Sequence, residues 1–562
     1  MPYRPRMLRL FWPILLLCLL LIPLRAQDQA ALYVLPQATT AVIASTSLVT
    51  LPNGRAAVTN AASDSVSLLD LVKNALVLEI PVGDDPRSVA VTPDNTRLIV
   101  ANRGAGSLSL IALNSSTVEA TYPVGALPMS VVATNDTAYV ALHGTSEIVA
   151  VALATGEITA HIPTLPFPTG LALWGNLLYV THFEVGAVSM IFLPTQQVVQ
   201  TLSLGGGTSR VAGIEIDPRA KVAYVPHMRL NTAPETPFDG RARPLVAVID
   251  LATFALLTER RLDLDLLDRP VSLPYAIKLD ASRKNLYIAH AGSADVSVID
   301  VTTNALVGFF ATGVSPRAIA FSRDGQNVYT HDVVDQTVTI TPTRFLRPFD
   351  TLPTTAQPPD PIKQMGAQLF YTARDPRLSA TGTLSCGVCH FDGWSDGQVW
   401  RGLNTPSLLD LPTNLPYGWL GTWTDWGALD EHIRQMQAGT GLGVDTVEAS
   451  ALVAYIKGFT PLETPFKSTS DEVQRGASLF SDWKCNTCHT GGAGTDQKTY
   501  DVGTGGQFMT PGLQGLWHSA PYLHDGRAAT LRDVFTQGQG DHRLVYASES
   551  DISALVAYLL SR

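Results

Sequence analysis

The first 345 residues alternate between apolar and polar positions in a repeating pattern. A short apolar strand ends in a polar residue, a small turn follows, and a second alternating strand ends near Asp-Leu or Asp-Val. Strict alternation predicts β-strands that turn one face toward a core. Most of the first-strand ends are about 40 to 45 residues apart, and they are Asn60, Asn102, Leu142, His182, His227, His290 and Asp332.

Seven repeats of this length, rich in β-branched and turn residues, predict a seven-bladed β-propeller. The longer step from His227 to His290 indicates an insertion around residues 231–243. We expect the early strand Ala31–Leu35 to complete the last blade. The repeats resemble the YVTN propeller family, and Tyr179-Val180-Thr181-His182 is the nearest match to its consensus. Three histidines recur at one blade position, where they either bind a metal or close a blade turn: His182, His227 and His290.

A proline-rich stretch ends the repeats, and its prolines are Pro348, Pro353, Pro358, Pro359 and Pro361. Proline clusters between periodic segments are typical of linkers. We therefore expect a propeller over residues 27–345 and a linker over residues 346–362.

The C-terminal 200 residues contain two copies of one helical pattern. The matched pairs, in order, are Gly366–Phe370 with Gly476–Phe480, Thr405–Leu408 with Thr510–Leu513, Pro416–Tyr417 with Pro521–Tyr522, and Leu452–Ile456 with Leu555–Leu559. The same order of elements predicts two small all-α domains, at residues 363–462 and 470–562.

Four of the five cysteines lie in two Cys-x-x-Cys-His motifs, one in each copy. The motifs are Cys386-Gly387-Val388-Cys389-His390 and Cys485-Asn486-Thr487-Cys488-His489. Covalent attachment of heme c needs two thiols for the vinyl groups and an adjacent imidazole for the iron. A redox-active thiol pair needs no adjacent histidine, and a four-thiolate zinc site would need the two domains to converge. The sequence therefore predicts two cytochrome c-type domains with two covalent hemes, and His390 and His489 as proximal iron ligands.

The sixth iron ligand separates electron transfer from reaction with a small molecule. In the first copy, Leu429, His432, Ile433 and Met436 share one face of a predicted helix. Met436 is a candidate axial ligand, and His432 is a candidate ligand or distal acid–base group. The alternative is that both side chains only pack in a core.

The second copy carries Leu531, Val534, Phe535 and Gly538 at the matching positions, so it lacks both groups. Its candidate ligands lie elsewhere. We favour His542, which lies just past the end of that helical face, over the other candidates, Met509, His518 and His524.

The N-terminus is typical of an export signal over residues 1–26. Arg4, Arg6 and Arg9 precede the apolar stretch Leu10–Leu24, and Ala26 is a suitable cleavage position. A membrane span needs about 20 apolar residues. We expect a periplasmic or other extracytoplasmic protein without a transmembrane span, and an uncleaved anchor is the alternative. Cleavage removes four arginines and no acid, lowering the formal charge from −10 to −14, which argues against binding nucleic acid.

The segments Thr510–Leu516 and Ala520–Arg527 carry a family signature. With them, the C-terminal half resembles the bacterial di-heme cytochrome c peroxidases, which include MauG-like enzymes. The resemblance implies that hydrogen peroxide is reduced at one heme, the N-terminal one in the family. It implies that electrons reach the other heme from a small redox donor protein or a quinol-linked cytochrome. A calcium ion between the heme domains is a further implication.

Three positions differ from the family pattern. Gly538 replaces the methionine ligand, residues 391–431 contain no histidine for the displaceable distal ligand, and His432 replaces a glutamine. Trp423 and Trp426 lie near a tryptophan segment of the family and are candidates for electron transfer between the hemes.

Three hypotheses follow. The first is an exported di-heme oxidoreductase of the peroxidase type, with the propeller as a docking or substrate-binding module. The second is a non-enzymatic electron-transfer cytochrome with both irons six-coordinate. The third is a propeller binding module in which the hemes act as redox sensors.

Overall fold

Antiparallel sheets make up the N-terminal part of the computed structural model, which describes residues 33–409, 416–538 and 540–562. Within those ranges, the strands of residues 42–353 form seven successive sheets of four to six strands. The predicted seven-bladed propeller is therefore confirmed. The predicted export signal, residues 1–26, lies outside the described residues.

Each blade is built from consecutive strands. Blade 1 contains Leu48–Leu51, Arg55–Asn60, Ser65–Asp70 and Ala75–Pro81, and blade 2 contains Pro86–Val91, Arg97–Asn102, Ser107–Ala112 and Thr117–Pro123. Blade 3 contains Pro128–Ala133, Thr137–Leu142, Glu147–Ala152 and Ile158–Pro163, and blade 4 contains Pro168–Trp174, Leu177–His182, Ala187–Phe192 and Gln197–Ser203. The strand Val42–Ala44 pairs on the inner edge of blade 4. Blades 5 to 7 comprise Thr208–Ser209, Glu215–Asp217, Val222–Leu230, Ala242–Asp250, Ala255–Leu256 and Leu262–Asp263; Pro274–Leu279, Asn285–His290, Asp295–Asp300 and Ala305–Ala311; and Pro316–Phe321, Asn327–Asp332, Thr337–Pro342 and Asp350–Pro353.

The polar residue at the strand end has a structural role in the blades. It forms a hydrogen bond with a hydroxyl group seven residues later, and the pairs are Asn60 with Ser67, Asn102 with Ser109, His182 with Ser189, His290 with Ser297, and Asp332 with Thr339. His227 instead faces the carbonyl oxygen of Val225 at 3.1 Å. The recurring histidines therefore act within their own blades, as the second interpretation proposed.

Asp332 occupies this position with a group that can ionise, which makes the stability of blade 7 depend on pH. Burial raises the pKa of Asp332 to about 7, although the Thr339 hydroxyl opposes the shift. Between about pH 4 and pH 7 the folded protein retains a proton that the unfolded chain has released, so the free energy of unfolding falls as the pH rises.

We expect Asp332→Asn, which copies Asn60 and Asn102, to abolish this fall. The gain above pH 7 should reach about 4 kcal/mol at most. Chemical unfolding at pH 5 and pH 8 checks this, with Asp136→Asn, a change at an exposed loop carboxylate, as the control. An unchanged difference between the two pH values in Asp332→Asn would contradict the assignment.

The seventh blade differs from prediction at its outer edge. Asp350–Pro353 pairs with Thr337–Ile340 there, so the propeller continues past residue 345 into the stretch predicted as a linker. Proline is tolerated because this is an edge strand. These residues take the place that we had expected Ala31–Leu35 to fill. The ring closes through side chains, because Asn60 and Ser67 of blade 1 donate to the carbonyl oxygen of Thr354.

Two helical domains follow. The helices are α1 Pro361–Tyr371, α2 Cys386–Cys389, α3 Ala428–Gln437 and α4 Val447–Ile456 in the first, and α5 Asp471–Asp482, α6 Leu531–Thr536 and α7 Glu549–Leu560 in the second. Two-stranded hairpins accompany them, Val399–Trp400 with Leu403–Asn404 and Thr499–Tyr500 with Phe508–Met509.

The predicted duplication corresponds to matching helix pairs, α1 with α4 and α5 with α7. A glycine lies at each crossing. A Cβ on Gly366 would collide with the Ala451 carbonyl, and one on Gly476 would collide with the Ala554 carbonyl. Among the described residues, no helix has both the length and the apolar character needed to cross a membrane.

One apolar cluster joins the propeller to the first helical domain. Phe183, Met228 and Leu230 of the propeller pack in it with Phe391 and Ile433 of the helical domain. Leu35–Arg562 accordingly forms one compact unit. The first helical domain is thus built against one end of the propeller.

Candidate heme sites

The two Cys-x-x-Cys-His motifs define a first site, around Cys386–His390, and a second site, around Cys485–His489. None of these four cysteines is paired in a disulfide. Cys386 and Cys389 border the shared apolar cluster, and Gln437 Nε2 lies 3.7 Å from Cys386 Sγ. Two cysteine side chains beside an imidazole in apolar surroundings are the donor set that heme c requires. The residues present therefore fit the predicted cofactor.

The motif histidines of both sites are held in the form that binds iron. Burial lowers the pKa of His390 to about 3, with the Pro406 carbonyl acting in the opposite direction. Burial also lowers the pKa of His489, whose Nδ1 lies 2.9 Å from the carbonyl oxygen of Gly494. Pro511 contributes a carbonyl at the second site, as Pro406 does at the first. At the second site, the contact of His489 Nδ1 with Gly494 orients a neutral imidazole so that its other nitrogen is available to a metal.

Helix α3 brings both distal candidates of the first site near its motif. After burial, the positive form of His432 is the next cause that would lower the pKa of His390, so the two imidazoles lie within electrostatic range of each other. The His432 ring packs edge-on against Trp423, with ring centroids 5.0 Å apart. Met436 packs against the same apolar cluster that Cys386 and Cys389 border. Ile433 and Met436 of the predicted stripe therefore pack in the cluster that the first motif borders, and the ligand or acid–base roles of Met436 and His432 stay predictions.

The second site contains a cavity of about 520 Å³, which is the size of a cofactor pocket. Cys485, Cys488 and His489 line one part of it. Val534 and His542 line another, and loops of the first helical domain contribute Asn404 and Trp419. This cavity lies between the two helical domains.

His542 faces His489 inside this cavity. Their ring centroids are 6.3 Å apart, at an interplanar angle of 54°. Two imidazole nitrogens that each lie about 2 Å from one metal place the ring centroids about 6 Å apart. The spacing suits one iron bound between the two histidines.

The other ligand candidates of the second site lie differently. His524 and Met509 line the cavity, and the His524 ring stacks on Phe508 with centroids 3.5 Å apart. His518 is buried outside it, between Trp394 and Trp517, with centroids 4.9 and 4.8 Å away. Neither ring nitrogen of His518 has a hydrogen-bond partner among the described residues.

Trp394 is a residue that sequence reasoning missed. It follows the first motif by four residues and contacts Trp517 of the second domain, with ring centroids 6.0 Å apart. His143 of the propeller packs edge-on against it at 5.1 Å. The tryptophans that the sequence suggested for electron transfer between the hemes have other neighbours: Trp423 contacts His432, and Trp426 packs against Tyr417. The sequence offered one signal for Trp394, which is its position four residues after His390 of the first motif.

The first motif is also fastened to the propeller through Phe391 and Asp392. Phe391 stacks on Tyr275, with centroids 5.4 Å apart. Asp392 accepts hydrogen bonds from Arg87 at 2.8 Å and from Arg317 at 2.9 Å. Tyr275, Arg87 and Arg317 all line the central cavity of the propeller, so the loop after the first motif contacts residues that line that cavity.

The charges around Asp392 favour its ionised form. Burial opposes ionisation, but Arg317, Arg87 and Arg103 outweigh it and hold the pKa of Asp392 well below its ordinary value. Tyr371 donates its hydroxyl to the same carboxylate at 2.5 Å. Elsewhere, no group of three or more His, Cys, Asp or Glu side chains in the described part of the chain is arranged to hold a metal ion.

Known proteins resemble the helical half. No model of a known protein family matches the chain. The methylamine utilization protein MauG of Methylorubrum extorquens is 26% identical over 278 residues, covering 37% of this chain and 78% of MauG. The cytochrome c551 peroxidase of Nitrosomonas europaea is 26% identical over 267 residues, covering 35% and 78%. A hydrazine synthase structure from Kuenenia stuttgartiensis matches 57% of this chain and 99% of its own, at 22% identity and a TM-score of 0.49.

MauG and the cytochrome c551 peroxidase confirm the resemblance of the C-terminal half to di-heme cytochrome c peroxidases and MauG-like proteins. They support the prediction of heme c and of an oxidoreductase of the di-heme peroxidase type.

Proposed function

We propose that the chain is an exported c-type oxidoreductase with two covalent hemes, at Cys386–His390 and Cys485–His489. Electrons enter at the second site, and hydrogen peroxide is reduced at the first. The observation that carries this assignment is the difference between the distal sides of two otherwise matched sites. His542 faces His489 at a spacing that suits one iron, whereas His432 and Met436 lie on one helix beside the first motif.

Two imidazoles on one iron favour electron transfer, because they leave no open position for a substrate. Accessibility supports the same role for the second site. Asn486 and Thr487, inside the second motif, are exposed, whereas Gly387 and Val388 at the same places in the first are buried. A small redox donor protein or a quinol-linked cytochrome can therefore approach the second motif more closely than the first.

The first site suits the reaction of a small molecule. Reduction of hydrogen peroxide consumes two electrons and two protons and releases two molecules of water. The heme iron, when bound, supplies the electrons. His432 is the titratable group on the distal helix, and its imidazole can take a proton from one peroxide oxygen and deliver it to the leaving oxygen. The apolar cluster around Ile433 limits water near this helix.

Trp394 offers a route between the two sites. Trp394 follows His390 by four residues, and its indole contacts Trp517 and His518 of the second domain. Aromatic side chains in contact provide a short path for electrons between the sites. The propeller, which packs on the first domain, would serve as a docking or substrate-binding module.

Peroxide titration of the purified full-length protein tests the proposal. We expect His432→Ala to slow peroxide reduction by about 100- to 10,000-fold, the usual contribution of an acid–base group, without loss of bound heme. His161→Ala is the matched control, since His161 lies on an outer strand of blade 3 with 60% of its side chain exposed. Pyridine hemochrome analysis gives the heme content of each variant.

Met436 supports the second candidate function, an electron-transfer cytochrome. If Met436 binds the first iron permanently, both irons are six-coordinate and no position is open to peroxide. Electron paramagnetic resonance of the half-reduced protein decides between the two functions. Only low-spin signals, together with no reaction with peroxide, would overturn the peroxidase assignment.

A further inference from the structure

Blade 5 differs from the other blades in the length of its central hairpin. Its strands Val222–Leu230 and Ala242–Asp250 are nine residues long, whereas the two central strands of each other blade have six. The hairpin therefore extends past the ends of the neighbouring blades. The insertion predicted around residues 231–243 forms its tip, and the tip brings Arg241 to the first helical domain.

Arg241 binds the end of the distal helix. Its guanidinium donates to the carbonyl oxygens of Gln435 at 3.3 Å and Met436 at 3.2 Å. Helix α3 ends at Gln437, because Ala438 has a left-handed conformation with φ of 56°. The last carbonyls of a helix lack partners within it, and a cation there offsets their partial negative charge.

The Arg241 side chain is itself held in place. It is only 6% exposed, and its guanidinium lies 3.9 Å from the centre of the Phe238 ring. Its Nε also donates to the carbonyl oxygen of Thr236. Phe238 and Thr236 belong to the same insertion. These contacts within the insertion hold the guanidinium where it bonds helix α3, so the position of α3 depends on the position of blade 5.

The inner part of blade 5 binds the proximal side of the same site. Arg210, which follows the strand Thr208–Ser209 and is 1% exposed, donates to the carbonyl oxygens of Val388 and Cys389, each at 2.8 Å. Glu184 lies 3.6 Å from its guanidinium, and burial raises the pKa of Glu184 to about 8 although Arg210 opposes the shift. Val388 and Cys389 immediately precede His390. One blade therefore contacts the backbone on both sides of the first site.

We infer that blade 5 positions the residues that would hold the first heme and act on its distal side, with Arg241 positioning helix α3, which carries His432 and Met436, and Arg210 positioning His390. This inference rests on the proposed function only in taking the first site to hold heme. Since both arginines belong to one blade, the separation between helix α3 and the first motif is fixed by that blade. Asn486 and Thr487 inside the second motif are exposed, so we expect the coordination at the second site to be independent of blade 5.

The test replaces Arg241 by glutamine and by lysine in the full-length protein. In Arg241→Gln we expect a changed spin state of the first iron and a shift of its reduction potential, while the signals of the second iron stay the same. Amides of residues 428–437 should exchange hydrogen faster. Peroxide reduction should slow by about 100-fold, as for a small misplacement of a catalytic group. Arg241→Lys should restore part of each property, because it keeps the charge at the helix end but lacks the Nε donor that bonds Thr236 and the planar guanidinium that packs on Phe238.

Arg243→Gln is the matched control. Arg243 lies on the same hairpin but pairs with Asp263 and Asp265 of the propeller, at 2.5 and 3.0 Å. We expect its variant to match the wild type in all four measurements. Unchanged spin state and exchange in Arg241→Gln would overturn the inference. Lack of peroxide reactivity in the wild type would instead overturn the proposed function, and leave the spin-state comparison valid.

Discussion

Replacing Asp392 by asparagine is expected to lower the free energy of unfolding by about 3–5 kcal/mol, the usual result of removing one partner from a buried ion pair. The carboxylate receives charge-assisted hydrogen bonds from Arg87 and Arg317, and Arg103 lies 3.9 Å away. Without the Asp392 carboxylate, Asp85 is the remaining carboxylate paired with Arg87 and Arg103. Arg317 then loses the acidic partner that it has among the described residues.

The loss should appear at the junction between the propeller and the first domain. Phe391 and Tyr371 pack around Arg317, whose guanidinium lies 4.4 Å from the centre of the Phe391 ring. An unpaired guanidinium in that position carries its full desolvation penalty. Denaturant unfolding followed by tryptophan fluorescence and by heme absorbance measures the effect, and limited proteolysis reports whether the loop after the first motif becomes accessible.

A double-mutant cycle separates the ion pair from other effects of the substitution. Arg317→Gln combined with Asp392→Asn should be less destabilising than the sum of the two single changes, because neither charge is left alone. Asp136→Asn, on an exposed loop, should change stability by less than about 0.5 kcal/mol. Additive effects in the cycle would mean that Asp392 and Arg317 do not stabilise each other.

The blades could be predicted because each carries its own signal. The first strand of each sequence repeat becomes the second strand of a blade. In six of the seven blades that strand ends at the residue that the repeat indicated, for example at Asn102 and His290. The pattern repeats because five of the seven strand-end side chains bond a hydroxyl seven residues later within the same blade. Local geometry repeated seven times is visible in one sequence.

The contacts between the halves could not be predicted in the same way. Asp392 and Arg241 each occur once, and their partners lie 75 and about 195 positions away in the chain. The second copy has Gly491 where the first has Asp392, so comparing the copies gives no partner for either. The insertion in blade 5 was visible as extra length, but length alone does not reveal that its tip binds helix α3.

The duplication showed that the two sites differ, and the structure adds a physical cause. At the first site, blade 5 and the arginines around Asp392 hold the motif and helix α3 from the propeller side. At the second site, the loop containing His542 borders an open cavity shared with the first domain. Contacts from the propeller therefore shape the surroundings of the first motif, whereas the described residues that line the cavity at the second motif all belong to the helical half.

The largest spectroscopic effect is expected from His542→Ala. If His489 and His542 bind one iron from opposite sides, the variant leaves the second iron five-coordinate and converts its low-spin signal to a high-spin one. Heme stays attached, because Cys485 and Cys488 are untouched. Reduction of the first site by the donor should slow in the same variant, since electrons enter through the second.

His524→Ala and Met509→Ala are the controls for His542→Ala, because both side chains line the same cavity. His524 is engaged with Phe508, with ring centroids 3.5 Å apart, so removing it should leave the second iron low-spin. Resonance Raman spectra of the three variants report the coordination number directly. A high-spin second iron in His524→Ala or Met509→Ala, with His542→Ala unchanged, would transfer the ligand role to that residue. A second iron that is already high-spin in the wild type would remove the basis for electron entry there, because the 6.3 Å spacing of the His489 and His542 rings would then lack a bridging metal.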